Sequence, residues 1–472
     1  MNNSFFKYLI LVVSFSILLP IKGQAQVEEF PFQRDWATYM APIGIAHFDN
    51  QGSEIFYGSD SYLSYQINPF DSLAPYLTNP DYESNFYLGK LNSDQTMAFL
   101  KKVGQAFTLD TLPYNFIGGL QAVDQTGNMY LSGLTQASDG IATPGAYQNN
   151  FSHNYSDPYE VYYPDLDITV TIPPELCADA FIEKYNPEGE KIWGSYYNGN
   201  QDMQSISLIE QGGYLYLYGL TTSYEGIGTV GIYMSEWGDE IPHHIYRPFV
   251  MKINANTGDL EWGTYLDTQV SENTANYIGN IFTVNSNGYC FYFNRDGGLS
   301  ILDETGALSS LNTTPPISYQ NVLLMKGDNL GNIYITGGAG EIDTIGTPGS
   351  FRPTKSYPTQ NYILKINQSG EKVWGSYLFN NDLGIASISS KVGLYIGKNA
   401  LYLFSVTDEA DLTTPGVYQE TGINGQNNLA FFKMNATNGS LLWLSYYGDP
   451  IGEVDNFSPK ISLDNKDNLY LS

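Results

Sequence analysis

Short runs in which large and small side chains alternate recur along the chain. Examples are MYLSG from Met129, IYITG from Ile333 and LYLS from Leu469. A period of two predicts a strand that is buried on one face only. Asp-x-x-Gly-Asn precedes the first two runs, at Asp124 and Asp328. Because Asp bonds its own backbone and Gly accepts positive φ, this segment predicts a tight turn before each strand.

A second recurring block predicts a hairpin that ends in tryptophan. It reads AFIEKYNPEGEKIW from Ala180 and YILKINQSGEKVW from Tyr362, two short strands around an Asn-x-x-Gly turn. The tryptophans share the pattern Trp-x-(Ser/Thr)-Tyr and are Trp36, Trp193, Trp262, Trp374 and Trp443. A lysine holds one place in four copies, as Lys184, Lys252, Lys365 and Lys433. We predict that each Trp packs between neighbouring repeats, where a large ring fills a widening space.

A third block, Thr-Pro-Gly, lies between the other two and predicts a loop, because Pro donates nothing to a strand ladder. Its copies begin at Thr143, Thr347 and Thr414. One repeat is therefore predicted to contain about four short strands and no helix.

The tryptophan spacing gives the number of repeats. Trp193 and Trp262 are 69 residues apart, as are Trp374 and Trp443, whereas Trp262 and Trp374 are 112 residues apart, the length of two repeats. The span before Trp193 also holds two. We count six repeats and a seventh that begins near Ser458.

Four-stranded units that cannot bury both faces alone must stack, and about six to eight of them stacked radially close into a β-propeller. The predicted fold class is all-β, a β-propeller of about seven four-stranded blades, with six visible and the seventh truncated or split. Closure would let the strand around Trp36 complete the unit that begins at the C-terminus. An open solenoid is the alternative, although solenoid repeats are usually shorter.

At these blocks the sequence resembles the bacterial β-propeller repeat family called SBBP. The repeat from Asp124 to Gly199 carries GNMYLSGLT, TPGAYQ, DAFIEKYN and WGSYYNG, which are similar to all three parts of the family pattern. The resemblance extends loosely over residues 35–472. It implies a secreted or cell-surface propeller and does not imply a particular activity. The run KINANTGDLEW also resembles the tryptophan-docking motif of quinoprotein dehydrogenases, which hold their quinone near two adjacent cysteines.

Composition narrows the class of partner. The chain has 21 Lys+Arg against 49 Asp+Glu, a net charge of −28, and 15% of its residues are aromatic. A nucleic-acid binder needs a basic face, so nucleic acid is not an expected partner. Two cysteines exclude a disulfide scaffold. Cys177 and Cys290 fall in different repeats, and two separate buried thiols are preferred over a disulfide.

The first 25 residues are predicted to be a secretory signal peptide. Lys7 provides the positive charge, an apolar stretch follows, and Gly23-Gln24-Ala25 offers small residues for cleavage before Gln26. The apolar stretch is shorter than the ~20 residues of a membrane span, so a retained anchor is the weaker alternative. The expected organisation is 1–25 signal peptide and 26–472 β-propeller, with the last blade incomplete and no transmembrane segment in the mature chain. The expected location is secreted, extracellular or on the outer cell surface.

Two long insertions offer candidate ligand-binding residues. The residues are Tyr159, Tyr162, Tyr163, Asp165, Asp167, Trp237, His243 and His244. Aromatic rings stack on the apolar faces of sugars, and carboxylates accept hydrogen bonds from hydroxyl groups. A glycan or a protein surface is the expected partner. Packing of the loops on each other is the alternative for the tyrosines, and a solvated loop is the alternative for the two histidines.

No catalytic residue set is predicted. Gly-x-Ser-x-Gly, His-Glu-x-x-His and Gly-x-x-x-x-Gly-Lys do not occur in the sequence, and we predict neither a cofactor nor a metal site. A structural Ca²⁺ at the Asp-x-x-Gly-Asn segments or at Asp165 and Asp167 is an alternative to turn capping. The predicted function is a binding scaffold. The alternative is a secreted carbohydrate-active hydrolase or lyase that uses Asp or Glu in the propeller funnel.

Overall fold

A computed structural model describes the chain in segments. The described residues are 47–49, 53–59, 85–94, 96–105, 116–152, 159–163, 168–172, 177–237, 246–268, 282–309, 322–340, 344–357, 360–380, 392–397, 399–407, 409–423, 428–447, 461–463 and 469–471. Within these segments the secondary structure is β-strand and turn, without a helix. No described segment therefore forms a helix that could cross a bilayer.

The strands form a succession of antiparallel sheets, each made from consecutive parts of the chain. Sheet 1 contains β1 (His47–Phe48), β2 (Glu54–Ser59), β3 (Asn85–Leu91) and β4 (Met97–Gln105). Sheet 2 contains β5 (Phe116–Val123), β6 (Met129–Thr135), β9 (Asp179–Tyr185) and β10 (Lys191–Tyr197), and the hairpin of β7 (Tyr159–Tyr163) and β8 (Ile168–Ile172) is inserted in its middle. Sheet 3 contains β11 (Met203–Gln211), β12 (Tyr214–Thr221), β13 (Arg247–Asn254) and β14 (Leu260–Tyr265).

The second half of the chain continues the series. Sheet 4 has three strands, β15 (Phe282–Val284), β16 (Cys290–Phe293) and β17 (Leu299–Leu302). Sheet 5 contains β18 (Val322–Gly327), β19 (Ile333–Ala339), β20 (Gln360–Ile366) and β21 (Lys372–Asn380). Sheet 6 contains β22 (Val392–Ile396), β23 (Ala400–Thr407), β24 (Asn428–Asn435) and β25 (Leu441–Tyr446). Sheet 7 is the pair β26 (Ile461–Leu463) and β27 (Leu469–Leu471).

The seven sheets form a closed ring. Each sheet contacts the next one through its first or second strand. The ring closes at β26, which contacts both β22 of sheet 6 and β1 of sheet 1. The first strands therefore surround the centre, and the fourth strands lie outside. This arrangement is a β-propeller of seven sheets, as the repeats predicted. The expected contribution of Trp36 to closure lies outside the described residues.

Both faces of the middle strands are buried, which corrects one prediction. Every residue of β9, β19, β20 and β23 is buried, although alternation predicted strands buried on one face only. The small residues Ser132, Thr336 and Ser405 are as buried as their large neighbours. The reason is the ring itself, because a neighbouring sheet covers each face and apolar clusters fill the joints.

The fourth repeat also departs from the four-strand prediction. Among the described residues that follow β17, 303–309, the pairing is an isolated bridge between Leu302 and Leu308. This repeat is one of those that lack the Trp of the pattern.

The antiparallel order gives the ring two different faces. The tight turns between first and second strands and between third and fourth strands lie on one side, which we call the turn face; residues 124–128 and 186–190 are examples. The connections between second and third strands begin and end on the other side, the loop face; examples are 136–178, 222–246, 340–359 and 408–427.

Candidate functional site

The tryptophan and lysine of the repeat join neighbouring sheets. Lys184 and Trp193 are cross-strand partners in sheet 2, and both donate to the backbone oxygen of Ala255 in the turn of sheet 3, at 2.9 and 3.2 Å. In sheet 3, Lys252 and Trp262 donate in the same way to the oxygen of Glu304 in sheet 4, at 2.9 and 3.1 Å. The prediction that Trp packs between neighbouring repeats is confirmed at these joints.

Sheet 1 contains a substitute for the missing tryptophan. Phe99 is the cross-strand partner of Lys90, the register that Trp193 has with Lys184. Its ring lies close to the turn glycine Gly189 of sheet 2. The tryptophan pattern does not reveal this position, because Phe99 provides an aromatic ring without an indole N–H.

The serine or threonine of the tryptophan pattern binds a segment of the loop-face connection to the fourth strand of its sheet. Ser195 Oγ accepts a hydrogen bond from the backbone N–H of Gln148 at 3.0 Å, and Ser376 Oγ accepts one from Arg352 at 2.9 Å. Thr264 Oγ1 accepts the equivalent bond from Met234 at 2.9 Å. The hydroxyl therefore fixes the segment that follows the Thr-Pro-Gly block.

The Thr-Pro-Gly block itself covers the outer edge of the sheet, and we call this segment the strap. The N–H of Thr347 donates to Gly375 O at 2.9 Å, and the N–H of Gly375 donates to Thr347 Oγ1 at 3.0 Å. A Cβ on Gly375 would lie 2.3 Å from the oxygen of Ile345, so the strap approaches too closely for a larger residue. Thr229 makes the same bonds to Gly263 in sheet 3, at 2.8 and 3.0 Å. Val230 replaces Pro there, which hid this strap from the sequence pattern.

The tyrosine that ends the pattern anchors the loop-face connections. Tyr196 OH donates to Ala137 O at 2.8 Å, and Tyr446 OH donates to Glu409 O at 2.6 Å. Burial, with nearby acidic groups adding to it, raises the pKa of both phenols to about 12, so each remains a donor at neutral pH. Tyr377 OH instead accepts from the N–H of Ile345 at 3.3 Å, and the ring of Tyr265 packs against Trp237.

The acidic turn residues cap backbone on the turn face. Asp124 Oδ1 accepts from the N–H groups of Thr126 and Asn128, both at 2.9 Å, and Oδ2 accepts from Tyr130 OH at 3.0 Å. Burial opposes ionisation of Asp124, but these bonds outweigh it and hold its pKa below the usual range. Asp124 therefore caps the backbone of its own turn. Across the described residues, no group of three His, Cys, Asp or Glu side chains is placed to hold a metal ion.

The two long insertions leave the ring from the loop face of adjacent sheets. One lies between β6 and β9 of sheet 2, and the other lies between β12 and β13 of sheet 3. The rim between them is held by hydrogen bonds. Asn200 Oδ1 accepts from the N–H groups of Tyr224 and Glu225 at 3.1 and 3.2 Å, and the N–H of Gln201 donates to Ser223 Oγ at 2.9 Å.

Buried polar side chains secure the base of each insertion, and sequence reasoning missed them. Asp179 accepts from the N–H and hydroxyl of Ser152 at 2.8 and 2.7 Å and from Asn198 Nδ2 at 2.8 Å. Arg247, at the same place in sheet 3, donates to Thr222 O at 2.8 Å. In the sequence, each of these residues is a charged residue that begins a strand and precedes apolar residues, Asp179 in DAF and Arg247 in RPF.

The register of the β7–β8 hairpin divides the three candidate tyrosines. Tyr159 pairs with Ile172 and Tyr163 with Ile168, whereas Tyr162 pairs with Thr169. Because successive residues of a strand alternate between faces, Tyr162 lies on the face opposite Tyr159 and Tyr163. Thr169, the cross-strand partner of Tyr162, is exposed.

The remaining candidates have different placements. Trp237 is 9% exposed and packs edge-on against Tyr265 in the cluster between sheets 2 and 3, with ring centroids 5.7 Å apart. Its contact with a ligand stays a prediction. Asp165, Asp167, His243 and His244 lie outside the described residues, as does Trp36.

Both cysteines are buried, Cys177 just before β9 of sheet 2 and Cys290 in β16 of sheet 4, and they form no disulfide with each other. This confirms the preference for two separate buried thiols. Burial raises the pKa of the Cys290 thiol well above its usual value, so this group is protonated and weakly reactive at neutral pH.

No protein-family model and no curated protein matches the chain. Solved structures that resemble it include the WD40 domain of SCAP from fission yeast (10% identity, 94% of this chain and 95% of that chain, TM-score 0.38) and BamB from Moraxella catarrhalis (12% identity, 68% and 78%, TM-score 0.26). Quinohemoprotein alcohol dehydrogenase from Comamonas testosteroni is a third (10% identity, 82% and 68%, TM-score 0.32). At such scores the ring of sheets, and not these likenesses, identifies the β-propeller.

Proposed function

We propose that this protein is an exported binding scaffold of the SBBP type, which holds a ligand with the two insertions on its loop face. The proposal rests on the different roles of the repeated residues and of the insertions. The repeated Lys, Trp, Gly, Ser/Thr and Tyr positions serve joints, straps and loop anchors in sheets 2, 3, 5 and 6, whereas the two long insertions follow no repeat and share one face. Function in propellers and similar scaffolds resides in such loops on a rigid frame.

A glycan is the ligand class that we favour. The insertion of sheet 2 carries Tyr159, Tyr162 and Tyr163 close to Asp165 and Asp167 in the sequence, and rings with neighbouring carboxylates suit sugars. Tyr162 is the cross-strand partner of the exposed Thr169, and this register supports it as the first contact residue. A protein surface is the other outcome of the test.

The proposed location is outside the cell, after removal of residues 1–25. The high aromatic content and the charge of −28 suit an acidic, soluble exterior around an aromatic core. Mass spectrometry of the protein recovered from the culture medium or cell surface tests this proposal. A chain that begins at Gln26 supports it, and a chain that retains residues 1–25 contradicts it.

A glycan array, with the Tyr162→Ala and Tyr163→Ala variants beside the intact protein, tests ligand binding. Loss of array signals in Tyr162→Ala is expected, with unchanged signals in Tyr418→Ala, which removes a 45% exposed tyrosine from the strap of sheet 6. Equal signals in all variants would remove the glycan proposal. New reducing ends after incubation with the bound glycans would favour the hydrolase or lyase alternative instead.

A further inference from the structure

The β7–β8 hairpin stands apart from the ring. Within the described residues, β7 and β8 pair only with each other, as a sheet of two strands. A two-stranded sheet is marginally stable alone and gains stability from further strands or a covered face. Each outer edge presents backbone N–H and C=O groups to which another strand could bond.

Elsewhere the protein covers such edges. Straps lie along the outer strands of sheets 2, 3, 5 and 6, where the threonine N–H donates to the outer strand at 2.8 to 3.1 Å. These straps are copies of one device, and they block pairing with another chain along the perimeter. The hairpin has no strap among the described residues, so its edge differs from every strapped edge of the ring.

The sequence of β8 is palindromic. It reads Ile168-Thr169-Val170-Thr171-Ile172, centred on Val170. In an antiparallel pair related by a two-fold axis, residue i of one copy meets residue j of the other and the reverse. Centred on Val170, this places Ile168 opposite Ile172 of the second copy and Thr169 opposite Thr171 of the second copy. Aliphatic pairs and threonine pairs across strands are each favourable.

We propose that β8 pairs with β8 of a second copy of this chain, so that two hairpins form one four-stranded sheet on the loop face. The order of strands in this sheet is β7, β8, β8 of the second copy and β7 of the second copy. The interface rests on the hairpin alone and is independent of which ligand the insertions bind. It would bring two loop faces together and double the number of binding sites per particle.

The chemistry of β8 favours a second copy over another partner. The protein carries a net charge of −28, so two copies repel each other over most of their surfaces. The five residues of β8 carry no charge, and Pro173 and Pro174 follow directly, which stops the ladder because proline has no N–H to donate. A neutral, self-complementary strand of this length suits a small, reversible interface.

The test introduces charges into β8 and measures dimerisation by analytical ultracentrifugation. The protein concentration is varied from roughly micromolar to several hundred micromolar, the range of weak complexes. The intact chain is expected to change from monomer to dimer as concentration rises. Thr169→Lys/Thr171→Lys and Thr169→Glu/Thr171→Glu each place like charges opposite one another in the paired strands, and each should weaken the dimer at least tenfold. An equal mixture of the two should form dimers again, because Lys then faces Glu.

Dimers in the mixture would show that both variants are folded and that β8 of one copy pairs with β8 of the other. Thr437→Lys/Asn438→Lys adds the same two charges to exposed positions on the turn face and should dimerise like the intact chain. A chain that stays monomeric throughout the range overturns the proposal. So does dimerisation that is equal in all three double variants, since the interface would then lie elsewhere.

Discussion

Lys365 and Trp374 face each other across two strands of sheet 5 and donate to the same backbone oxygen, that of Ala436 in sheet 6, at 3.0 and 3.1 Å. The Lys365 ammonium also lies 5.2 Å from the ring centroid of Tyr334, and Trp374 packs edge-on against that ring. The Tyr334 hydroxyl donates to the same oxygen at 3.3 Å, so three side chains of sheet 5 converge on one carbonyl group of sheet 6. The same arrangement recurs at the joints after sheets 2 and 3, so the repeat specifies the joint between sheets as well as the sheet.

Loss of the Trp374 ring should open this joint. The ring is 1% exposed, and Trp374→Ala removes its packing and its hydrogen bond, which is expected to cost about 3–5 kcal/mol of the free energy of unfolding. Chemical denaturation followed by circular dichroism measures the loss. The neighbouring Val373 is 45% exposed, and Val373→Ala should change stability by less than about 0.5 kcal/mol. Equal effects of the two substitutions would contradict the role of the joint.

Two glycines with similar φ angles allow the cost of backbone strain to be measured apart from the cost of a side-chain clash. Gly439 has φ +72°, and a Cβ there would lie 2.4 Å from the ring of Trp374, whereas Gly416 has φ +83° and open space around it. Both Ala variants bear the cost of positive φ, about 1–2 kcal/mol. Gly439→Ala should lose a further 1–3 kcal/mol, roughly the cost of overpacking. Thermal unfolding of the two variants should therefore differ clearly, and matching melting temperatures would refute the contact.

Glu54 should make the protein less stable at neutral pH than in mild acid. Its carboxyl is 2% exposed, its Oε2 has no hydrogen-bond partner among the described residues, and burial raises its pKa to about 7. The folded state then holds a proton that the unfolded state releases above its own pKa near 4.5. The penalty is absent below the unfolded pKa, grows between the two pKa values and is complete above about pH 7.

Glu54→Gln removes that penalty. Its advantage over the intact protein should approach about 3 kcal/mol above pH 7 and vanish below about pH 4.5. Unfolding curves of both proteins at several pH values measure the difference, which cancels the contribution of the other acidic groups. An advantage that does not vary with pH would contradict the raised pKa of this buried carboxyl.

Ser376 should hold the strap of sheet 5 in place. Its hydroxyl accepts from the Arg352 N–H and donates to Tyr377 O at 2.9 Å each, and it is fully buried. Ser376→Ala leaves a donor unsatisfied and should cost about 1–3 kcal/mol. Hydrogen exchange should rise in residues 347–352, while Ser369→Ala, at an exposed turn position, should leave that segment protected.

Much of the scaffold was predictable because its key residues are chemically distinctive. The Lys–Trp pair recurs at a spacing of nine residues (Lys184 and Trp193) or ten (Lys252 and Trp262), and the cross-strand pairing follows from the short turn between the two residues. Phe99 was missed because the joint keeps the ring and drops the indole nitrogen, and the strap at Thr229 was missed because Val230 stands in place of Pro. The burial of Ser132 and Thr336 depends on a neighbouring sheet that no local pattern reveals.

The candidate site was less predictable than the scaffold. Tyr159, Tyr162 and Tyr163 are close in sequence, but the strand register separates Tyr162 from the other two. Trp237 packs on Tyr265, a contact that the sequence of the insertion does not reveal. Insertions follow no repeat, so neither spacing nor period fixes which of their side chains meet.

Replacement of residues 153–176 by a short Gly-Ser linker tests the account most directly, with melting temperature and glycan-array binding measured on the same sample. The repeat residues hold the ring without this insertion, so the melting temperature should change little. The binding signals of the intact protein should be lost. Full binding without the insertion, or collapse of the ring when it is removed, would contradict the separation of a repeated scaffold from a ligand-binding loop face.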